Sequence, residues 1–288
     1  MERNLVYNGK TYSLEDLKKD YNNFLKGLES HNDFTKYHTL SIALETYDPG
    51  YARAGDRIYA LHELLITAKY NLFNSYKKVH NDVFDQTENY FPHLVRRSHY
   101  LKSAIVWYNS CQDYVFQLIS LSYDLHGVEI TSTEKYKLAL RNCSYEKLRD
   151  KLKSINTPNS KKLLRIINNY GSNKDVKYLR EELANNLKHH GNLGFKGIYV
   201  GKPVGYTERN NQTNEVTYSS EWKESDIVDI DETIELLKRV HNLFVKHVRE
   251  VINFIDFKAC APSDERVLIK GEPYRKMKDK ADYRKILY

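Results

Sequence analysis

Residues 97–125 read RSHYLKSAIVWYNSCQDYVFQLISLSYDL, and this segment decides the fold class. Its apolar positions recur at intervals of three and four, which is the period of one face of an α-helix. The stripe consists of Leu101, Ala104, Tyr108, Cys111, Val115, Leu118 and Leu125. A stripe of this length predicts a helix of about eight turns that buries one side.

A second stripe of the same period precedes it, over residues 56–84. Its members are Ile58, Leu61, Leu65, Ala68, Leu72, Tyr76 and Val79. The connection between the two predicted helices is short and contains Phe91-Pro92. Two long helices joined in this way should pack as an antiparallel pair.

Shorter elements are predicted around this pair. The residues expected to begin helices are Ser13, Ser132 or Thr133, Ser144, Asn159 (with a helix ending at Gly171) and Asp231. Asn8-Gly9 predicts a small hairpin within residues 5–12. A second hairpin is predicted within 192–230, with strands at 198–200 and 215–218.

The chain is therefore predicted to be all-α, and its organisation follows the order of these elements. Residues 1–52 are an N-terminal extension with a small hairpin and a helix. Residues 53–258 are a helical domain that carries the inserted hairpin, and 259–288 are a basic C-terminal tail.

Composition agrees with a helical chain. Among 288 residues there are 12 glycines and 6 prolines, and 41% of residues are hydrophobic, enough for a core. The net charge of +7 permits an acidic partner such as nucleic acid without requiring one. Cys111, Cys143 and Cys260 are too far apart for a disulfide framework or a metal site, which fits a reducing cytoplasm. No membrane span, signal peptide, metal motif or cofactor motif is predicted.

The segment Asn185-Asn186-Leu187-Lys188-His189-His190-Gly191 ends a predicted helix with polar side chains. In a regular α-helical register, one face carries Val176, Leu179, Leu183, Asn186 and His190. An amide and an imidazole thus continue an apolar stripe, where each needs a hydrogen-bond partner. Two interpretations follow. His190 is a structural histidine beside a helix C-terminus, or this segment is an active site in a seam between helices.

The order of two long helices, several short ones and a helix ending in Asn-polar-x-x-x-His resembles the HEPN superfamily. The segments from Tyr100-Leu101-Lys102-Ser103-Ala104 to Tyr114, and from Asn185 to Leu193, resemble its bacterial stand-alone, defence-type members. The resemblance covers about residues 56–257. It implies a HEPN-like helical bundle that forms a homodimer.

The family motif consists of an arginine, a polar residue, three variable residues and a histidine. These positions hold Asn185, Asn186 and His190 here, so asparagine replaces the arginine. The resemblance implies a metal-independent endoribonuclease of toxin or phage-defence type, with its site shared across the dimer axis. His190 would be the general base or acid for attack by a ribose 2′-hydroxyl, and Asn186 would orient His190 or the phosphate.

The same resemblance implies which cations would contact RNA. Lys188 and His189 would offer charge to its phosphates, and Arg96 and Arg97 are further sources of positive charge. The histidines His93, His99, His241 and His247 are interpreted as ordinary structural or surface residues.

The replaced arginine leaves a second hypothesis open. It is a non-catalytic HEPN-like module that binds RNA, a nucleotide or a protein partner. A third hypothesis makes the chain one subunit of a larger defence complex, or the partner of an antitoxin. In that complex the hairpin at 192–230 and the N-terminal extension would be docking surfaces.

Overall fold

The computed structural model describes residues 5–7, 10–38, 49–78, 90–189, 193–198, 202–209, 215–223, 227–255, 257, 266–269 and 272–275. Helices dominate this part of the chain, as predicted. The helices are α1 (Leu14–Lys26), α2 (Pro49–Tyr76), α3 (Tyr90–Ser122), α4 (Thr133–Arg141), α5 (Tyr145–Ile155), α6 (Pro158–Gly171), α7 (Lys174–Tyr178), α8 (Asn185–His189) and α9 (Ile230–Ile255). A 3₁₀ turn covers Asn32–Thr35, and a π-helix covers Leu179–Ala184 between α7 and α8.

The strands are short and pair two by two. They are β1 (Leu5–Tyr7), β2 (Lys10–Tyr12), β3 (Gly194–Phe195), β4 (Lys202–Arg209), β5 (Val216–Lys223), β6 (Ile227–Val228), β7 (Arg266–Ile269) and β8 (Glu272–Arg275). The pairs β1–β2, β4–β5 and β7–β8 are antiparallel, and β3–β6 is parallel. Among the described residues, no helix is both long and apolar enough to cross a membrane.

The two predicted long helices are present as α2 and α3, but both begin earlier than predicted. Pro49 starts α2, and Pro92 lies inside the first turn of α3 rather than in the connection. A proline is tolerated in the first turn because its missing N–H would have no helical partner there. Helix α2 ends at Tyr76, short of the predicted residue 84. Val79 lies outside the described residues.

The predicted stripes of these helices are core positions. The residues with no exposed surface are Ile58, Leu61, Leu65, Ala68, Leu72, Leu101, Ala104, Cys111, Val115 and Leu118. Burial of a valine, leucine or isoleucine side chain stabilises the fold by about 1.5–3 kcal/mol relative to exposure. The sequence pattern thus identifies the buried face of both helices.

Helix caps account for most of the predicted starting points. The N-caps of α1, α4 and α5 are the predicted residues Ser13, Ser132 and Ser144. Each hydroxyl accepts a hydrogen bond from a first-turn N–H, which the helix itself cannot satisfy. Helix α6 begins earlier than the predicted Asn159. Thr157 caps it, and Pro158 occupies its first turn.

The described chain divides into two compact units. Unit 1 consists of residues 1–27, 70–106 and 178–238, and unit 2 of residues 28–69, 107–177 and 239–288. The division predicted at residues 52 and 258 remains a prediction.

In unit 1, Tyr70 of α2 meets Tyr100 of α3 edge-on, with ring centroids 6.4 Å apart. Further along α2, the Ser75 carbonyl accepts a hydrogen bond from Arg97, which lies earlier in α3. The contacts advance along one helix as they retreat along the other, so this pair is antiparallel, as predicted. Helix α1 packs here through Phe24, whose ring stacks on Tyr76 at 4.0 Å.

In unit 2, the same two helices are joined by Arg57 of α2. Its guanidinium lies over the ring of Tyr114 and donates a hydrogen bond to Gln117, both on α3. It also donates to the hydroxyl of Tyr136 on α4, at 3.0 Å. Arg57 therefore ties three helices together within this unit.

The hairpins agree with the sequence only in part. The β1–β2 hairpin lies where predicted, with Asn8 and Gly9 outside the described residues. The β4–β5 hairpin lies within the predicted 192–230, but its first strand begins at Lys202, and Ile198 lies in a turn. The β7–β8 hairpin lies in the region predicted to be only a basic tail. The sequence pattern that marks this hairpin is an apolar run before a glycine.

Candidate functional site

The helix that ends in the predicted motif contains a π-helical turn immediately before it. The Asn185 N–H donates to the Arg180 carbonyl, five residues back, instead of the fourth residue back. The last two residues of this turn, Leu183 and Ala184, are both fully buried. π-helical turns are rare and recur at functional sites.

The π turn changes which side chains of the motif face the core. One extra residue per turn rotates everything after it by about 100° relative to a regular α-helix. Asn186 is consequently half-buried rather than a full continuation of the stripe through Leu179 and Leu183. Asn185, Lys188 and His189 are exposed. The regular register predicted for this face is wrong, because nothing in the sequence separates a π turn from an α turn.

Three of the predicted site residues on this helix are exposed, and a fourth, Asn186, is half-buried. Asn185, Lys188 and His189 are accessible to a ligand, and the cations stand at the helix C-terminus, where the helix dipole favours positive charge. His190, the predicted acid–base group, lies outside the described residues.

The chain that follows the motif is fixed to α3 within unit 1. Phe195 is 2% exposed, and its backbone pairs with Val228 in the β3–β6 ladder. The Lys102 ammonium lies 5.5 Å from the centre of the Phe195 ring. Gly197 has φ +81°, and a Cβ there would lie 3.1 Å from Leu94 Cδ2, so the backbone approaches α3 closely. These contacts hold the segment after residues 190–192 beside the first half of α3.

Lys102 is a cation that the sequence did not single out. Burial lowers its pKa below that of an ordinary lysine. It is the one lysine of α3, and it lies beside the segment that follows the motif. No feature of the sequence distinguishes it from the other lysines of the chain.

The two predicted RNA-binding arginines of α3 differ in environment. Arg96 is half-buried, with its guanidinium 5.6 Å from the Tyr100 ring centre and a 3.4 Å hydrogen bond to the Tyr100 hydroxyl. Arg97 is 1% exposed. It donates to the Ser75 carbonyl at 2.6 Å and pairs with the Asp231 carboxylate. We therefore assign Arg97 a structural role and keep Arg96 as a candidate RNA contact.

Replacing Arg97 should destabilise the fold strongly. Arg97→Ala is expected to lower the free energy of unfolding by about 3–5 kcal/mol, because it leaves a void and removes the donor to a buried carbonyl. Urea denaturation followed by far-UV circular dichroism measures this loss. Arg96→Ala is the matched control, and its cost should remain below about 1 kcal/mol. Equal losses in the two variants would contradict the structural role of Arg97.

Unit 2 holds a second group of polar side chains, formed by buried histidines. His241 Nε2 donates to the Glu29 carbonyl at 2.9 Å, so its Nδ1 accepts the Tyr108 hydroxyl at 2.9 Å. His62 Nδ1 lies 3.1 Å from the His31 carbonyl and 2.9 Å from His31 Nδ1, so it donates and His31 Nδ1 accepts. These assignments make His31 and His241 neutral.

The environment of these rings agrees with the neutral form. Burial, with the neighbouring His241 and His62, lowers the pKa of His31 to about 3. Burial lowers the pKa of His241 to about 4. Histidines in this state hold the fold together and are not poised for acid–base chemistry at neutral pH. Among the residues described, no group of three or more His, Cys, Asp or Glu side chains is arranged to hold a metal ion.

The site is thus a polar helix end after a π turn, connected through residues 193–198 to a helix that carries Arg96 and Lys102. No family model, no curated protein and no solved structure matches this chain.

Proposed function

We propose that this chain is a metal-independent endoribonuclease of toxin or phage-defence type that acts as a homodimer. The observation that carries the proposal is the helix end after the π turn. A helix buried through Leu179, Leu183 and Ala184 changes there to a polar segment with Asn185, Lys188 and His189 exposed, immediately before His190. The antiparallel pair α2 and α3, followed by short helices, is the helix order that the HEPN resemblance implies.

The proposed reaction is attack by a ribose 2′-hydroxyl on the adjacent phosphate. His190 removes the 2′ proton, the new O–P bond gives a 2′,3′-cyclic phosphate, and the P–O5′ bond breaks. The leaving 5′-oxygen takes a proton and becomes a hydroxyl, so no water or redox partner is consumed. Asn186 orients His190 or the phosphate, and Lys188 and His189 offset its negative charge.

A second candidate function is binding of RNA without cleavage. Asn185 stands where the family motif has arginine, and its exposed amide brings no positive charge to a phosphate. Arg97 is committed to Asp231 and cannot supply that charge. In this case the polar helix end and Lys102 would hold phosphates, and no bond would break.

The experiment that separates these functions uses purified full-length protein, mixed RNA and excess EDTA. We expect fragments with 2′,3′-cyclic phosphate and 5′-hydroxyl ends. A defined RNA that carries 2′-deoxyribose at the cleaved position should remain intact, because the attacking group is missing. Cleavage of the deoxy substrate, or 3′-hydroxyl products, would contradict the mechanism. RNA binding without fragments would establish the second function.

A further inference from the structure

A groove in unit 1 combines aromatic, cationic and neutral polar side chains. It has a volume of about 620 Å³ and lies between α2 and the first half of α3. Its residues on α3 run from Phe91 to Ser103, about 18 Å of helix. Its exposed lining is mostly apolar, and among the described lining residues Arg96 is the one Lys or Arg and none is Asp or Glu.

Two aromatic rings line the groove, those of Phe91 and Tyr100. Phe91 is 49% exposed. Tyr100 is half-buried and carries the Arg96 guanidinium against its ring. Unpaired bases stack on aromatic side chains, and a guanidinium contacts phosphate oxygens. Asn71, His99 and Ser103 add groups that can hydrogen-bond a base or a ribose hydroxyl.

A second groove of unit 1 provides a comparison. It has a volume of about 270 Å³ and is lined by Lys10, Tyr12 and Lys78, but also by Asp231 and Glu235. Its two carboxylates oppose a polyanion, although the groove holds cations and aromatic rings. Of these two grooves, only the second is lined by described carboxylates.

The groove on α3 is also connected to the segment that carries the motif. Leu94, between two groove residues, meets Gly197. Lys102, adjacent to the groove residue Ser103, lies over Phe195. Phe195 and Gly197 follow the motif closely in the chain, and both contact α3. A ligand bound along this face of α3 would therefore lie on the same helix that holds the segment after the motif.

We propose that this groove binds unpaired nucleotides of single-stranded RNA. Their bases stack on Phe91 and Tyr100, and Arg96 binds a phosphate. The inference rests on the proposed function, because it names the class of RNA that reaches the same site. It predicts selection for single strands, since a base inside a duplex cannot offer its face to these rings.

The test uses full-length protein with His190→Ala, so that bound RNA stays intact, and fluorescence anisotropy with a labelled single strand and the matching duplex. Phe91→Ser and Tyr100→Leu should each raise the Kd for the single strand by about 5- to 100-fold, as expected for loss of one stacking ring. Arg96→Gln should reduce the slope of log K against log salt by about 0.7.

The controls are Tyr178→Ser, an exposed ring outside the groove, and Arg165→Gln. Circular dichroism shows whether each variant is folded. If Tyr100→Leu does not fold, Phe91→Ser still tests the groove, because Phe91 is at an exposed position.

The outcomes separate this inference from the proposed function. Unchanged affinity in Phe91→Ser, or equal affinity for duplex and single strand, would overturn the groove assignment whether or not the protein cleaves RNA. Loss of self-association in Phe91→Ser with unchanged RNA affinity would assign the groove to a protein interface, and would also overturn it. Weakened binding in the groove variants of a protein that never cleaves RNA would support the groove and reject the nuclease.

Discussion

His190→Ala is expected to lower the rate of RNA cleavage by about 100- to 10,000-fold, which is the range that general acid–base catalysis supplies. The proposed reaction moves a proton from the 2′-hydroxyl and delivers one to the 5′-oxygen. Alanine can do neither. Single-turnover cleavage of a defined RNA in EDTA measures the loss, and analytical ultracentrifugation shows whether the variant keeps its oligomeric state.

Two neighbouring substitutions make this result interpretable. His189→Ala removes an exposed imidazole next to the proposed acid–base group, and should reduce the rate only several-fold. Lys177→Ala removes an exposed cation earlier in the same continuous helix, and should leave the rate unchanged. A rate for His190→Ala equal to that of the unsubstituted protein would exclude His190 from the reaction.

Acidification is expected to unfold the protein steeply below pH ~6, because three buried histidines are neutral in the fold. Burial lowers the pKa of His31, His241 and His247 to about 3, 4 and 3. Their unfolded pKa is about 6.5. Between these values the unfolded chain binds more protons, so stability is complete above pH ~6.5 and falls as the pH decreases. Each ring contributes about 1.4 kcal/mol per pH unit, and three contribute about 4.

His247 offers the sharpest test of that pH dependence. Its ring stacks on Tyr170 with centroids 4.5 Å apart, and neither ring nitrogen has a hydrogen-bond partner among the described residues. His247→Phe keeps the stacking and removes two buried unpaired nitrogens. It should raise stability at neutral pH by about 1 kcal/mol and remove about one third of the acid slope.

Urea denaturation at several pH values between about 7.5 and 5 gives that slope. Phe244→Leu is the matched control, because Phe244 packs against Tyr170 and carries no titrating group. It should lower stability by a similar amount at every pH. An acid slope in His247→Phe equal to that of the unsubstituted protein would show that the pKa of His247 does not differ between the folded and the unfolded chain.

The helices could be predicted because their signals are local. Periodic stripes identified the buried faces of α2 and α3, and hydroxyl side chains at Ser13, Ser132 and Ser144 marked where helices begin. The errors at Pro49 and Pro92 have a physical cause, since a proline both breaks a helix interior and suits its first turn. Periodicity alone does not say which applies.

The site was less predictable because tertiary packing decides it. The helix adopts a π turn over Leu179–Ala184, and no local preference in the sequence announces that turn. Arg96 and Arg97 are neighbouring residues of the same type, yet their environments differ. Arg96 lines a groove, whereas Arg97 forms an ion pair with Asp231. The partnership of His31 with His62 joins residues from separate segments, so no spacing rule could reveal it.

Because of the π turn, the side chains before it and after it follow two different registers around one continuous helix. The side chains before it, such as the buried Val176, keep the register of a regular α-helix, and the register of the residues from Asn185 onward is set by the turn. Deleting one residue within 179–184 would restore a regular α turn. The polar side chains after the turn would then rotate by about 100° around the helix axis, while the apolar stripe kept its packing. In this segment, a change in chain length therefore changes where the side chains point, whereas a substitution changes only which side chain stands at a position.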